Sequence, residues 1–328
     1  MIISKTPFRL SLFGGGTDYP AWFNSNPSEL LTASMARYSY ISLRETPKFS
    51  EYNYLINYSE IEKTLDIDSI KHPSVKSCLK RYNQSNIQIV YDGDLPARSG
   101  IGSSSTFTVG LINALNCFNN ISMSRKELAK CAIDIEQNDM GESVGIQDQI
   151  SASYGGILNI KMGPSNKWVV NKIKLSKDYI NELESYILLG YSNIARLSEV
   201  QAKKKIENIK NKKTEIELKT ISDIAKEAIY TLCQEKDIKY LGELLNQSWQ
   251  IKKQLADGIT TEWLDSLHNV GISNGAYGGK VMGAGGGGFF YFIAPPDTHN
   301  NIKNVLQNIK FWSPFKFDFE GSKIILNR

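Results

Sequence analysis

The chain has 328 residues, of which 41% are hydrophobic and 22% charged, the proportions of an ordinary soluble globular protein with room for one large or two medium domains. A net charge of +4 from 38 basic and 34 acidic residues gives no argument for nucleic acid. Four cysteines (Cys78, Cys117, Cys131, Cys233) lie far apart without Cys-x-x-Cys or paired histidines, which excludes a disulfide framework and a zinc site of known spacing. The N-terminus lacks the apolar core of a signal peptide, and no stretch reaches the ~20 apolar residues of a membrane span. A cytoplasmic protein with no membrane partner is the expectation.

Residues 1–13 alternate, with Phe8, Leu10 and Leu12 on one face and Arg9 on the other, and predict a strand. It runs into the glycine turn Gly14-Gly15-Gly16-Thr17-Asp18-Tyr19-Pro20, where Asp18 reads most simply as a turn-stabilising Asx residue. Residues 30–44 and 52–58 predict further strands, and 59–84 turn polar with helical spacing. Ile87, Ile89 and Tyr91 alternate as a strand that delivers the chain to Pro96-Ala-Arg-Ser-Gly-Ile-Gly-Ser-Ser-Ser105. Behind this loop, Phe107, Leu111, Ala114, Leu115 and Phe118 fall at helical spacing.

A glycine turn that opens a helix sets unpaired N–H donors and a partial positive charge at one point, and so suits phosphate. The three serines add donors and one Mg²⁺-competent hydroxyl. The loop is not a Walker motif, because no Gly-Lys-Ser/Thr follows, nor a dinucleotide fingerprint, because the third glycine position is Ser105.

Ser124 and Glu127 form a capping-box signature ahead of a stripe of Leu128, Ala132 and Ile135. Glu136 sits on the flank of that stripe and can point inward, although an exposed glutamate at a helix end is the blander reading. Asp148, in Gly145-Ile-Gln-Asp-Gln, stands near a helix start, where a cap is the commonest role. A strand begins at Ile157 and ends near Gly163-Pro164. After a further strand over 186–190, residues 194–258 predict two or three helices, with the Lys-rich run 203–213 as a solvated face. Gly279-Lys-Val-Met-Gly-Ala-Gly-Gly-Gly-Gly288 contains Gly283-x-Gly285-x-x-Gly288, but a strand follows where a dinucleotide fold needs a helix. Its glycines therefore imply close approach of a ligand or another backbone.

With Thr6-Pro-Phe-Arg9-Leu-Ser-Leu-Phe-Gly-Gly-Gly-Thr-Asp18-Tyr19 as the first of three motifs, the chain resembles the GHMP kinase superfamily over essentially its full length. Within it, the wording of the first two motifs is most similar to the galactokinase-like D-glycero-D-manno-heptose 7-phosphate kinases. The resemblance implies an α+β fold of two domains, residues 1–170 (ATP phosphate-binding) and 171–328, with the active site in the cleft between them. It implies that Gly100, Ile101, Gly102, Ser103, Ser104 and Ser105 hold the phosphates of ATP, and that Ser104 and Glu136, the latter twelve residues before Asp148, hold Mg²⁺. Asp148 would face the substrate hydroxyl as base or orienting group, paired with Arg9. Asp18 would bind the sugar, and Gly283, Gly285 and Gly286 would lie near the phosphate loop. The adenine pocket would fall within 50–95, with Asn57 and Tyr58 as candidates by position.

Galactokinases carry Glu-His where this chain has Gly15 and Gly16, which removes a negative charge and counts against plain galactose. Arg37, Arg98, Arg196 and Lys280 are the basic residues expected to meet a phosphate on the substrate remote from the reacting hydroxyl. The implied reaction is ATP-dependent phosphorylation of the anomeric hydroxyl of heptose 7-phosphate to the 1,7-bisphosphate, for nucleotide-activated heptose. The alternatives are an anomeric kinase for an unphosphorylated sugar such as fucose or galactose, and an inactive sugar and ATP sensor. The partner is a small sugar phosphate rather than nucleic acid, and a homodimer stays open.

Overall fold

Strand β1 (Ile2–Phe13) is buried on both faces from Thr6 onward, because helices of both halves of the chain pack on it. The computed structural model describes residues 1–194 and 198–328, apart from the side chains of 198–200. After a four-residue helix α1 (Pro20–Phe23), the chain returns as β2 (Ser28–Glu45), antiparallel to β1 with Arg9 opposite Ser34. The far half of β2 pairs with β5 (Ile87–Gly93), which runs parallel to β3 (Tyr54–Asn57) of the hairpin β3–β4 (Ile61–Thr64). Between them, α2 (Pro73–Arg81) occupies part of the stretch read as helical, while the β4 segment of that stretch is extended.

Helix α3 (Ser103–Phe118) packs on β1 and β2 directly behind the Gly100–Gly102 turn. The capping box at Ser124 and Glu127 forms in both directions and opens α4 (Arg125–Asp134). At Ile135–Asp139 the helix widens into one π-helical turn, and α5 (Gln147–Tyr154) follows after a loop. A π-turn of this kind shifts side chains off the α-helical register and concentrates at functional positions. The hairpin β6 (Ile157–Gly163) and β7 (Lys167–Ile173) joins the near half of β2. The expected domain boundary at 170/171 falls inside β7.

The chain then runs through α6 (Lys177–Tyr186), β8 (Ile187–Tyr191), α7 (Ser198–Lys210), α8 (Glu215–Cys233), α9 (Ile238–Lys252) and α10 (Glu262–Ser273). Strands β9 (Gly278–Val281) and β10 (Phe289–Ile293) flank the third glycine stretch, and α11 (His299–Val305) and β11 (Phe311–Ser313) follow. These strands form a second, antiparallel sheet in the order β11-β8-β10-β9. The last strand, β12 (Lys323–Asn327), leaves that unit and closes on β1, so both ends of the chain sit in the first sheet. Phe8, Leu10 and Leu12 of β1 share one apolar cluster with Leu241 and Leu245 of α9 and with Phe289 and Tyr291 of β10. That cluster fixes the first sheet against the second, and with them the three glycine-bearing segments.

Candidate active site

Arg9 leaves β1 on the face opposite Phe8 and Leu10 and is 5% exposed. Its Nε and Nη2 donate to Oδ1 and Oδ2 of Asp148 at 2.6 and 3.0 Å, and its Nη1 donates to Gly100 O at 2.7 Å. A bidentate guanidinium–carboxylate pair is planar and directional, so it fixes the carboxylate as well as compensating its charge. Asp148 is in the first turn of α5 but makes no cap there, and its side chain keeps 26% exposure. One cation therefore ties the carboxylate to the phosphate loop.

Gly102 completes that junction. Its φ of +73° is a left-handed conformation, and a Cβ would stand 2.9 Å from Oδ2 of Asp148. Gly283 of the third stretch is packed as closely from the other side, where a Cβ would lie 2.8 Å from Gly100 Cα. Phe289 N donates to Ser99 O at 2.8 Å, which locks the two loops edge to edge. The glycines of the third stretch are there because backbone meets backbone.

Glu136 is fully buried on the π-turn. Its Oε2 accepts from Ser105 Oγ at 2.8 Å and from Gln149 Nε2, while burial pushes its carboxyl up to about 7 against the pull of Ser105, Thr108 and Gln149. Two oxygens of this group, Glu136 Oε1 and Gln149 Oε1, are buried without a hydrogen-bond partner. Both are oxygen donors of the kind a hard divalent cation takes. The serine hydrogen-bonded to Glu136 is Ser105, whereas Ser104, the serine expected to share Mg²⁺ with Glu136, is exposed. Successive helical residues are about 100° apart, so only one of the two can face the π-turn. Ser103 is used locally, its Oγ accepting from Arg98 N at 3.2 Å.

The glycine turn at 14–18 lies alongside. Asp18 is 8% exposed; its Oδ1 accepts from Gly16 N at 3.1 Å, the Asx-type contact, and its Oδ2 faces Gln147 N at 3.5 Å. Burial first, and then the charge of Asp148, raise its carboxyl above the usual range, so the two carboxylates share one neighbourhood. Gly15 has Ser11 Oγ, Gln147 Oε1 and Lys252 Nζ around the place where a Cβ would be.

The basic residues expected to serve the substrate are distributed differently. Arg37 donates to Ser313 Oγ, Ala36 O and Pro314 O, at the meeting of β2 with the 311–314 segment, and makes no contact with the Arg9–Asp148 group. Arg98 is exposed in a left-handed turn (φ +57°), and its charge is felt by Tyr58 and His72 instead. Arg196 lies outside the described residues. Lys280 is buried, and its Nζ donates to Leu12 O at 2.7 Å. Two lysines not singled out from the sequence do come to the site, Lys205 of α7 and Lys252 at the end of α9. Both were detectable: Lys205 lies three after Ala202 and four before Ile209, and Lys252 three after Trp249 and seven after Leu245, so each occupies its helix's apolar stripe.

On the nucleotide side, His72 stacks on Phe107 at 4.6 Å and meets Tyr58 edge-on at 4.8 Å, next to the start of α3. Tyr58, a positional candidate for the adenine pocket, donates to Glu62 Oε1 at 2.9 Å.

Sequence profiles for the GHMP kinases N terminal domain and the GHMP kinases C terminal region match residues 70–156 and 226–311. The chain is 31% identical to the D-glycero-alpha-D-manno-heptose 7-phosphate kinase of Campylobacter jejuni, over 98% of this chain and 98% of that one. The chain belongs to the GHMP kinase family. The galactokinase of Thermosipho africanus is 23% identical over 95% of this chain and 94% of its own. The crystal structure of a D-glycero-D-manno-heptose 1-phosphate kinase from Bacteroides thetaiotaomicron superposes with a TM-score of 0.82 at 24% identity, covering all of both chains. That likeness establishes the α+β GHMP kinase fold for the whole chain. The protein is an ATP-dependent sugar kinase, and among the described residues no helix is long and apolar enough to cross a membrane.

Proposed function

We propose that this GHMP kinase phosphorylates the anomeric hydroxyl of D-glycero-D-manno-heptose 7-phosphate with ATP and Mg²⁺, giving the 1,7-bisphosphate as a step towards nucleotide-activated heptose. The observation that carries the reading is the Arg9–Asp148 pair, held against the phosphate loop through Gly100 and Gly102. The name of the 31%-identical relative supplies the sugar.

In this reading the backbone donors of residues 100–105 seat the β- and γ-phosphates at the start of α3. Glu136, with Ser105 or Ser104, would hold Mg²⁺, which would neutralise charge on the phosphate oxygens. Asp148 accepts a hydrogen bond from the anomeric hydroxyl and takes its proton as the oxygen attacks phosphorus and the bond to ADP breaks. Arg9 fixes the direction of that carboxylate. Phosphoryl transfer asks a protein mostly for positioning and charge compensation, and these residues supply both. Asp18, on its own turn, would orient the sugar ring, and the aromatic group of Tyr58, His72 and Phe107 stands where the base would lie.

The test is ADP release by the purified protein with heptose 7-phosphate, free heptose, fucose and galactose. Heptose 7-phosphate is expected to give the highest kcat/KM by at least ~10²-fold, the factor that two phosphate contacts provide. Equal turnover of an unphosphorylated sugar would replace this reading with that of a free-sugar kinase.

A further inference from the structure

Three lysines are buried around the site, each 4% exposed: Lys205, Lys252 and Lys280. Each donates to one backbone carbonyl, Lys205 to Ala284 O at 3.1 Å, Lys252 to Gly283 O at 2.9 Å and Lys280 to Leu12 O at 2.7 Å. Among the described residues none of the three makes an ion pair with a carboxylate, whereas an ammonium has three donors to satisfy. Arg9, the fourth cation, is committed to Asp148. The remaining carboxylate, Asp18, is felt by Lys205 and Lys252 but hydrogen-bonds to its own turn. Lys205 and Lys252 thus feel the charge of Asp18 without an ion pair to it.

Burying unpaired ammonium groups is costly, and the fold shows the consequence. Burial pulls Lys205 down to about 8 and Lys280 to about 7, and Lys252 falls well below the ordinary range through burial and the charges of Lys280, Lys205 and Arg9. Lys280, within the third glycine stretch, turns its Nζ to the end of β1. Lys205 and Lys252 are different, since they reach consecutive carbonyls of a partly exposed loop, and Lys252 Nζ lies 4.0 Å from the place of a Cβ on Gly15. Gly15 presents no side chain towards Lys252.

We propose that Lys205 and Lys252 form the binding site for a phosphate monoester on the sugar substrate, the phosphate that is not transferred. A dianion would give both ammonium groups a charged acceptor and favour their protonated forms. The proposal rests on the reading of the substrate as a sugar phosphate. Its residues are specificity determinants and take no part in the chemistry at the anomeric oxygen.

The experiment compares wild type with Lys205→Met and Lys252→Met on heptose 7-phosphate, free heptose and ATP. Each substitution is expected to lower kcat/KM for heptose 7-phosphate by about 10- to 150-fold and to narrow the ratio between phosphorylated and free sugar, with KM for ATP little changed. Lys252→Arg, which keeps the charge, should retain most of that ratio. Inorganic phosphate should raise the melting temperature of wild type and do so less for the Met variants, a readout independent of turnover. A wild-type preference that survives in both Met variants would overturn the site and leave the substrate reading standing. Absence of the preference in wild type would remove both. A rise in KM for ATP instead would assign the lysines to the transferred phosphate and overturn the proposal. The Met variants also lose the hydrogen bond to Ala284 O or Gly283 O, so melting temperature is measured beside the kinetics; a lower melting temperature together with an unchanged ratio would mark the lysines as packing residues.

Discussion

Gly102 and Asp148 stand so close that a Cβ on the glycine would lie 2.9 Å from the carboxylate Oδ2, and 3.2 Å from Cγ of Arg9. The turn that seats the phosphates is therefore shaped against the group that meets the acceptor hydroxyl. Gly102→Ala should disturb both, since alanine is strained at φ +73° and its methyl presses on the carboxylate. We expect kcat to fall by about 10²-fold, because ~1 Å of misplacement has that effect, with KM for ATP rising as well. Steady-state kinetics with both substrates varied checks this, and a loss confined to KM for ATP would separate the turn from Asp148.

Asp148→Asn keeps the shape of the side chain but removes its charge and its capacity to take a proton. If the carboxylate orients and deprotonates the hydroxyl, kcat should drop by roughly 10²–10⁴-fold with ATP binding nearly unchanged. Calorimetric titration with a non-hydrolysable ATP analogue measures the second half of that statement. A variant with more than half the activity would remove Asp148 from the reaction.

The metal reading is tested by the Mg²⁺ concentration that gives half-maximal rate. Ser105→Ala and Glu136→Gln should each raise it, because each removes an oxygen from the group with the unpartnered Glu136 Oε1. Ser104→Ala, on the exposed face of the same turn, should have the smaller effect. The reverse order would restore Ser104 as the ligand.

These outcomes also show what the sequence made legible. The strand carrying Arg9, the capping box at Ser124 and the helix after the serines were all readable, because each is a local pattern with its own physical cause. The choice between Ser104 and Ser105 was not, since it depends on the rotation of α3 against the π-turn, which neighbouring serines do not encode. Lys205 was read as part of a solvated run because composition outweighed phase; its spacing from Ala202 and Ile209 gave the contrary signal. Arg37 and Arg98 lie in or near segments expected to face the cleft, whereas in the fold Arg37 binds Ser313 and the charge of Arg98 acts on His72.

Lys280 makes a prediction about pH. Burial lowers its folded pKa from 10.5 to about 7, so folding favours the neutral amine. The unfolded chain then binds more protons than the folded one between those values, and stability rises with pH across that window and is lost as pH falls through about 7. Lys280→Met should flatten the rise measured by denaturant unfolding at intervals from pH 7 to 10, by up to about 1.4 kcal/mol per pH unit. An unchanged slope would mean that the amine is charged in the fold and that Leu12 O, at 2.7 Å, holds an ammonium.

Gly145 and Asp18 provide the sharpest test of the sugar side. A Cβ on Gly145 would fall 1.9 Å from Asp18 Oδ2, and Ile146 N donates to Asp18 O at 3.1 Å, so the segment before α5 is moulded on the glycine turn. Gly145→Ala must push the carboxylate aside, and its methyl would also stand 3.1 Å from the Asp18 carbonyl oxygen. Asp18 has its own bond to Gly16 N, at 3.1 Å, and a shift there would move Gly15 and Gly16 with it. The expected result is a rise of about 10- to 10²-fold in KM for the sugar with KM for ATP near wild type, because the phosphate loop is not part of this contact. Asp18→Asn should show the same split, and the double variant should be little worse than either alone, as residues acting through one contact are not additive. Additive losses would show that Gly145 acts on Asp148 through the helix it precedes, and that Asp18 meets the sugar independently.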